Sequence, residues 1–192
     1  MDSILSYDSI AIGMGIGVSE SVYDILKYLL LNYTGKLLID ADGINTLSKY
    51  GVEVLTQKKC KVILTPHVGE FSRLIKAEKS FIMSDIINLT CSFANRFGVV
   101  LLVKSAVSVI TDGNQVIINT TGASGMAKGG SGDVLSGLTA GLLARCDDCL
   151  SATAVACYIF GRAGELAQAE QNEYTVTPSD TIAYLPTAIN RL

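Results

Sequence analysis

Short apolar runs alternate with amphipathic stretches along this chain, and the alternation predicts strands followed by helices. Four apolar runs of strand length cover residues 8–12, 36–39, 61–64 and 99–104, and two more lie at 108–111 and 115–119. Helical spacing of apolar residues covers residues 19–31, 43–49, 69–76, 84–97, 132–145 and 148–169, and a last helix starts near Pro178. This order is typical of a layered α/β fold with a mostly parallel central sheet. We find no repeat or linker, so we predict a single domain over residues 1–192.

Polar residues and glycines mark the expected ends of these elements. Ser19 and Ser84 each precede a helical stretch and are predicted to cap it, because a serine hydroxyl can accept a hydrogen bond from a free first-turn amide. Gly98 is expected to end the helix over 84–97 in a left-handed conformation. Asp112-Gly113-Asn114 separates two short strands and predicts a hairpin turn.

Composition narrows the classes of protein that this chain can represent. Hydrophobic residues make up 49% of the 192 residues and charged residues 17%, which is enough for a substantial core and argues against disorder. The formal net charge is −3 and no basic run is present, so a nucleic-acid surface is not expected. Apolar stretches fall short of the ~20 residues of a membrane span, and no signal-peptide pattern opens the chain. We therefore expect a cytoplasmic protein without nucleic-acid or membrane partners.

The five cysteines do not form a recognisable disulfide or zinc pattern. Cys146 and Cys149 make a single CxxC, which lacks the second pair or the histidines that zinc requires. We expect both to be ordinary helix residues and all five to be reduced thiols.

Three polar segments follow predicted parallel strands and are expected to share one site. They are Asp40-Ala41-Asp42, Thr65-Pro66-His67 and Lys104-Ser105. The carboxyl ends of parallel strands meet at one edge of a sheet, where ligands bind in such folds. Asp40 and Asp42 would point to opposite sides if the strand continued, so at most one is expected to face that site.

The segment GASGMAKGGSGDVLSG at 122–137 predicts a phosphate-binding loop that leads into a helix. Glycines let the backbone approach a ligand, and the first free amides of a helix favour an anion. The segment lacks the GK[ST] ending of a Walker A loop. Asp133 has two interpretations: it caps the helix, or it accepts the proton of a hydroxyl that attacks a phosphoryl group. In the second case, amides of Gly130, Ser131 and Gly132 would stabilise the transferring phosphoryl.

Other polar side chains near the predicted site also keep two interpretations. Glu70 either stabilises a helix start through its charge or helps to hold Mg²⁺ through water. His67 is either structural or part of the site. Lys104 either extends into water or contacts a nucleotide phosphate or ribose.

Taken together, these segments resemble the ribokinase-like superfamily, and within it the ADP-dependent NAD(P)H-hydrate dehydratases. The motifs in question are AIGMGIG at 11–17, LLIDADGINTL at 37–47, ILTPHVGEFSRL at 63–74, VVLLVKSAVSVI at 99–110, INTTGASGMAKGGSGDVLSGLTAGLLA at 118–144 and TVTPSD at 175–180. The resemblance implies a layered α/β/α fold and a lyase that repairs hydrated NADH or NADPH. It also implies phosphoryl transfer from ADP or ATP to the ring hydroxyl, followed by loss of phosphate.

The resemblance assigns roles to individual residues of this sequence. It makes Asp133 the catalytic base that contacts the hydrated ring, and Glu70 the residue associated with Mg²⁺. Substrate contacts fall to Gly15, Gly17, His67 and Asp133. Nucleotide contacts fall to Lys104, Ser105, Ala106, Val107, Ser108, Gly129, Gly130, Ser131 and Gly132. The chain departs mildly from the family pattern at Met14, Ile16, Val68, Ser105 and Ser108, and the Ser105 side chain is expected near the nucleotide.

Family members usually carry a further N-terminal part before the segment that matches Asp8. We therefore expect an N-terminally shortened domain whose sheet edge is covered by self-association or by a preceding polypeptide. Two other functions remain open: a small-molecule kinase of the same superfamily, and a nucleotide-binding protein without catalysis.

Overall fold

The computed structural model describes residues 2–192, and six four-residue strands form its single sheet. The strands are β1 (Ser9–Ile12), β2 (Lys36–Ile39), β3 (Lys61–Leu64), β4 (Val100–Val103), β5 (Ser108–Thr111) and β6 (Val116–Asn119). They lie in the sheet in the same order as in the sequence. The strands β1 to β4 pair in parallel, whereas β4, β5 and β6 pair antiparallel. The mostly parallel sheet and the hairpin at residues 112–114 are confirmed.

Within residues 2–192, eight α-helices cover the two faces of this sheet. They are α1 (Glu20–Asn32), α2 (Ala41–Tyr50), α3 (Val68–Ile75), α4 (Lys79–Ser84), α5 (Ile86–Phe97), α6 (Ser131–Leu143), α7 (Cys149–Glu170) and α8 (Pro178–Ile189). The helices α1 to α5 pack on one face, α6 and α7 pack on the other, and α8 lies against α7 and α6. The predicted α/β/α layering is confirmed.

Alternating strand residues divide the core between the two faces. Leu37 and Ile39 of β2 pack with α1 to α5, whereas Leu38 between them packs with α6 and α7. Both faces are apolar, which explains why the parallel strands are continuous hydrophobic runs instead of alternating ones. Asp40 follows Ile39, and this alternation turns its side chain to the α6 side.

Two local expectations are corrected. Ser84 does not cap a helix, because it is the last residue of α4. Asp85 occupies the N-cap position of α5 without a capping bond, and its Oδ1 accepts a hydrogen bond from Asn88 Nδ2 instead. Cys146 precedes α7, which begins at Cys149, so the two cysteines do not share a helix. Ser19 caps α1 through Val22 N, and Gly98 ends α5 with φ +58°, both as expected.

The cysteines in the described part of the chain are all free thiols. Among the helices of residues 2–192, none combines the length and the apolar character needed to cross a bilayer.

Candidate active site

The glycine-rich segment enters α6 at the carboxyl edge of the sheet. Gly130 occupies the N-cap position with φ +91°, a left-handed conformation that favours glycine. Within residues 2–192, the amides of Gly132 and Asp133 in the first turn have no hydrogen-bond acceptor. Free amides and the helix dipole together attract an anion. The first turn of α6 therefore has the properties predicted for a phosphate site.

Asp133 projects from this first turn and is exposed. Its carboxylate does not cap α6, and it has no hydrogen-bond partner among the described residues. It lines a largely apolar groove of about 430 Å³ between α6 and α8, together with Val134, Gly137, Leu138, Ile182 and Leu185. The capping interpretation is therefore not the one that this geometry supports, and the carboxylate is available to a ligand.

Side chains of α7 fix the loop that precedes α6. Glu165 accepts a hydrogen bond from Gly122 N at 2.8 Å, and Gln168 accepts one from Gly125 N at 2.8 Å. Lys128 points away from the first turn of α6, because its ammonium donates to the carbonyls of Tyr174 and Val176. The charge of Lys128 thus ties the loop to residues 174–176.

Buried charge at the same edge links β2, β4 and α6. Lys104 Nζ donates to Asp40 Oδ1 at 2.9 Å, and Ser136 Oγ donates to Asp40 Oδ2 at 2.7 Å. Asp40 and Ser136 are almost inaccessible to solvent, whereas the Lys104 side chain is 21% exposed. A Cβ atom built on Gly132 would lie 3.6 Å from Lys104 Nζ, so the ammonium lies beside the first turn of α6. Lys104 does not simply extend into water.

His67 and Glu70 form the start of α3 as a reciprocal cap. His67 Nδ1 accepts hydrogen bonds from the amides of Gly69 and Glu70, and Glu70 Oε2 accepts one from His67 N at 2.8 Å. Burial lowers the pKa of His67, an effect that Lys104 and Arg73 reinforce and that Glu70 opposes. The ring is therefore neutral at pH 7 with its proton on Nε2, which lies 3.5 Å from Glu70 Oε1 on a half-exposed side chain.

The buried Glu70 carboxylate fits a structural role better than a metal cage. It is 6% exposed, and one of its oxygens is committed to the cap. Within residues 2–192, no three His, Cys, Asp or Glu side chains are grouped so that they could hold a metal ion. Mg²⁺ usually keeps several waters and binds through one or two carboxylates together with substrate phosphates, so an ion carried by a bound nucleotide fits these residues better than a closed protein cage.

The segment after β4 forms a short exposed loop over residues 105–107. Ser105 Oγ donates to Val107 O at 2.6 Å, and Ser108 Oγ donates to Ser105 O at 3.3 Å. Ala106 and Val107 are exposed, and Ser108 is buried. The Ser105 side chain, which departs from the family pattern, therefore forms a hydrogen bond within the loop over residues 105–107.

The loop over residues 13–17 lies against the start of α2. Gly13 packs so closely that an added Cβ would lie 1.9 Å from the Asp40 carbonyl oxygen. Gly17 N donates to Asp42 Oδ2 at 2.9 Å, and Gly15 and Gly17 adopt positive φ. The Asp40 side chain thus contacts Lys104 and Ser136, whereas the Asp42 side chain binds the glycine loop over residues 13–17.

The predicted residues come together in part. Side-chain contacts join Lys104 to Asp40, and His67 and Glu70 form the reciprocal cap. An isolated parallel β-bridge pairs the backbones of His67 and Lys104, and Gly132 lies beside the ion pair of Lys104 and Asp40. Hydrogen bonds connect neither Gly15 nor Asp133 to these groups in the described part of the chain. Ser136 was missed by the sequence reasoning. Its position one helical turn after Gly132 was the available signal, because residues four apart share a helix face.

Comparison with known proteins assigns this arrangement to one family. The family model described as NAD(P)H-hydrate dehydratase matches residues 1–187. A bifunctional NAD(P)H-hydrate repair enzyme from Hyperthermus butylicus is 35% identical over 95% of this chain and 34% of its own length. A crystal structure of ADP/ATP-dependent NAD(P)H-hydrate dehydratase from Bacillus subtilis superposes with a TM-score of 0.85 at 27% identity, covering 98% of this chain and 70% of that one.

A ribokinase-like superfamily protein from Enterococcus faecalis has the same fold. It superposes with a TM-score of 0.82 at 27% identity, over 99% of this chain and 65% of that chain. The ribokinase-like fold class is thereby confirmed. The chain spans about a third of the length of the bifunctional repair enzyme that it matches.

Proposed function

Because this chain belongs to the NAD(P)H-hydrate dehydratase family, we propose that it dehydrates hydrated NADH or NADPH with ADP or ATP as phosphoryl donor. The observation that carries the proposal is the first turn of α6. There, among residues 2–192, an exposed Asp133 carboxylate without a hydrogen-bond partner adjoins two amides that lack acceptors. A base and an anion site on one helical turn are what phosphoryl transfer to a hydroxyl requires.

The proposed reaction has two steps. The oxygen of the ring hydroxyl attacks the terminal phosphorus of ADP while Asp133 accepts the proton of that hydroxyl, and AMP leaves. The C–O bond to the new phosphate then breaks, driven by the lone pair of the ring nitrogen. A neighbouring ring carbon loses a proton, which gives the dihydronicotinamide and free phosphate. The amides of Gly132 and Asp133 and the Lys104 ammonium stabilise the charge of the transferring phosphoryl.

The remaining residues are proposed to bind substrate and nucleotide. His67 would donate a hydrogen bond from Nε2 to the hydrated cofactor near Gly15 and Gly17. The exposed loop 105–107, with Lys104, Ser108 and the 129–132 segment, would contact the nucleotide. The apolar groove next to Asp133 suits the uncharged face of a reduced nicotinamide ring. Mg²⁺ would accompany the nucleotide phosphates and supply positive charge there.

Recovery of dihydronicotinamide absorbance tests this proposal. Purified protein is mixed with hydrated NADH, ADP and MgCl₂, and hydrated NADPH and ATP are compared in parallel. We expect absorbance to return with the native protein, and Asp133→Asn to remove the activity while circular dichroism and thermal unfolding stay unchanged. Retained activity in Asp133→Asn contradicts the role of this residue.

Two other outcomes would replace the proposal. A phosphorylated product that persists without eliminating phosphate would indicate a small-molecule kinase. Nucleotide binding without any turnover would indicate a protein that has kept the phosphate site without catalysis.

We propose further that this single domain self-associates or pairs with a preceding polypeptide. The residues of β1 are partly exposed and pair on one side only, with β2, in the described sheet. Unpaired edge groups readily accept another strand. Sedimentation velocity over a range of concentrations would detect self-association, and a monomer at all concentrations would contradict it.

A further inference from the structure

We infer that Asp40 and Ser136 are positioning residues that hold the Lys104 ammonium against the first turn of α6, so that the ammonium and the helix form one anion site. The inference rests on the proposed function for its biological meaning. The binding measurement below does not depend on turnover.

The first observation is that the Asp40 side chain does not cap the helix α2. Asp40 occupies the N-cap position of α2, where an aspartate usually accepts hydrogen bonds from first-turn amides. Its side chain makes no such bond, and each of its oxygens accepts one bond from another element instead. The carboxylate therefore stabilises contacts across the sheet and not its own helix.

The second observation is local strain at the same point. Ala41 has φ +48°, one of two positive φ values among the described residues other than glycine. This left-handed region is unfavourable for a residue with a Cβ atom, and strained backbone of this kind concentrates at functional sites. Gly13 lies against the Asp40 carbonyl with no room for a side chain. The backbone is thus held in a costly conformation just where the carboxylate turns toward Lys104.

The third observation is the place of Ser136 on α6. Ser136 follows Gly132 by four residues, so both lie on the helix face that meets the ion pair. A serine within a helix often bonds to the carbonyl four residues earlier, but Ser136 donates to Asp40. Asp40 is therefore bonded at once to the second turn of α6 and to Lys104 of the strand-β4 edge.

The two hydrogen bonds of the Asp40 carboxylate fix where the Lys104 ammonium lies relative to the first turn of α6. The Lys104 ammonium lies beside Gly132, whose amide has no acceptor in the described part of the chain. A lysine on a flexible side chain is an imprecise anion ligand unless another group orients it. The Asp40 carboxylate orients it at the cost of placing a negative charge near the anion. Orientation and simple charge attraction therefore predict opposite effects of removing that charge.

Calorimetric titration with ADP and with inorganic pyrophosphate separates the two effects. Coulomb attraction alone predicts that Asp40→Asn binds these anions more tightly than the native protein. Positioning predicts weaker binding, by about tenfold for Asp40→Asn and about threefold for Ser136→Ala. In a Lys104→Met background, Asp40→Asn should cause no further loss, because no ammonium remains to be oriented.

A distant ion pair supplies the matched control. Lys36 Nζ and Asp147 Oδ1 are also 2.9 Å apart but lie at the amino edge of the sheet. Asp147→Asn makes the same change in net charge and should leave both affinities unchanged.

The outcomes decide the inference in each case. Affinity that is unchanged or higher in folded Asp40→Asn overturns it, as does an equal loss in the Lys104→Met background. If Asp40→Asn does not fold, Ser136→Ala, which keeps all charges, decides: unchanged affinity overturns the inference and weaker binding supports it. A native protein that binds ADP but fails to dehydrate the hydrated cofactor would remove the proposed function and leave the positioning role standing.

Discussion

His67 connects the cap of α3 to the candidate site through the protonation state of its ring. Nδ1 accepts two amide hydrogen bonds, so a proton on that atom would break the cap. Burial keeps the pKa of His67 below its ordinary value of 6.5, with Lys104 and Arg73 acting in the same direction and Glu70 and Asp40 against it. The unfolded chain therefore takes up a proton at a higher pH than the folded chain does.

This difference predicts how stability changes with pH. Above about pH 6.5 the ring is neutral in both states, and the contribution of His67 is complete. As pH falls below that value, the unfolded state is protonated first, so the free energy of unfolding decreases until the folded ring also titrates. Urea unfolding at pH 7.5 and 5.5 would measure the decrease.

The control is His67→Asn, because asparagine also caps helices and does not titrate. The decrease should be smaller in this variant than in the native protein. An equal decrease in both would mean that other groups cause the pH dependence.

Single residues differ in how far their roles were predictable. The spacing of glycines placed Asp133 at a helix start, and the end of an apolar strand placed Lys104 at the site edge. The bond between Asp40 and Ser136 joins residues 96 positions apart, and a local pattern carries no information about such a contact. Glu70 kept two interpretations because a first-turn acid looks the same in sequence whether it caps a helix or meets a metal.

Ala41 at the start of α2 has a strained, left-handed backbone conformation. If Ala41 is held at φ +48° for the sake of the Asp40 carboxylate, then Ala41→Gly should relieve the strain without moving that carboxylate. We expect the free energy of unfolding to rise by about 0.5–1 kcal/mol, since glycine adopts this conformation without steric cost. Chemical denaturation would measure the change.

Ala144 at the end of α6 provides the comparison, because its φ of −62° is ordinary. Ala144→Gly should lower stability by about 0.5–1 kcal/mol. Destabilisation of similar size in both variants would show that Ala41 is not strained.

The helix α7 packs against the glycine-rich loop and supports it. Gly161 and Gly164 leave room for Thr121 and Met126, and a Cβ on Gly161 would lie 2.1 Å from Thr121 Oγ1 and 2.7 Å from its carbonyl carbon. Gly161→Ala must therefore displace the backbone before the loop. We expect about a tenfold loss of nucleotide affinity or turnover, because small displacements of positioned groups are costly.

Gly141→Ala is the matched change, since a Cβ there meets no atom within 4 Å. This variant should keep native activity and gain about 0.5–1 kcal/mol of stability. Native activity in Gly161→Ala, measured in the same assay, would show that the loop does not depend on close packing against α7.

Elements were predictable where apolar runs and caps agree, as for β2, β3 and α1. The helix α4 was not predicted, whereas the start of α5 was predicted at Ser84, close to its observed start at Ile86. In the structure the helix breaks at Asp85, which has ψ 42° and no capping bond. Ile82 of α4 and Phe93 of α5 belong to one core, a packing between helices that a local pattern does not show.

At the scale of the whole molecule, the order of elements was enough to predict the layered fold. Consecutive parallel strands with their crossover helices on one face follow from crossovers of a single hand. Sequence order does not show how the second face brings α6 over β1 and β2, since that depends on packing between distant segments. The anion site arises there, where α6 meets the carboxyl edge of the sheet.

The fate of the donor phosphate tests the central claim most directly. Phosphorus NMR of native protein with ADP, MgCl₂ and hydrated NADH follows all phosphorus species, while absorbance follows dihydronicotinamide. We predict AMP, inorganic phosphate and NADH in equal amounts, with none of the three formed by Asp133→Asn. Recovery of NADH without conversion of ADP to AMP, or accumulation of a stable phosphorylated product, would contradict phosphoryl transfer followed by elimination at this site.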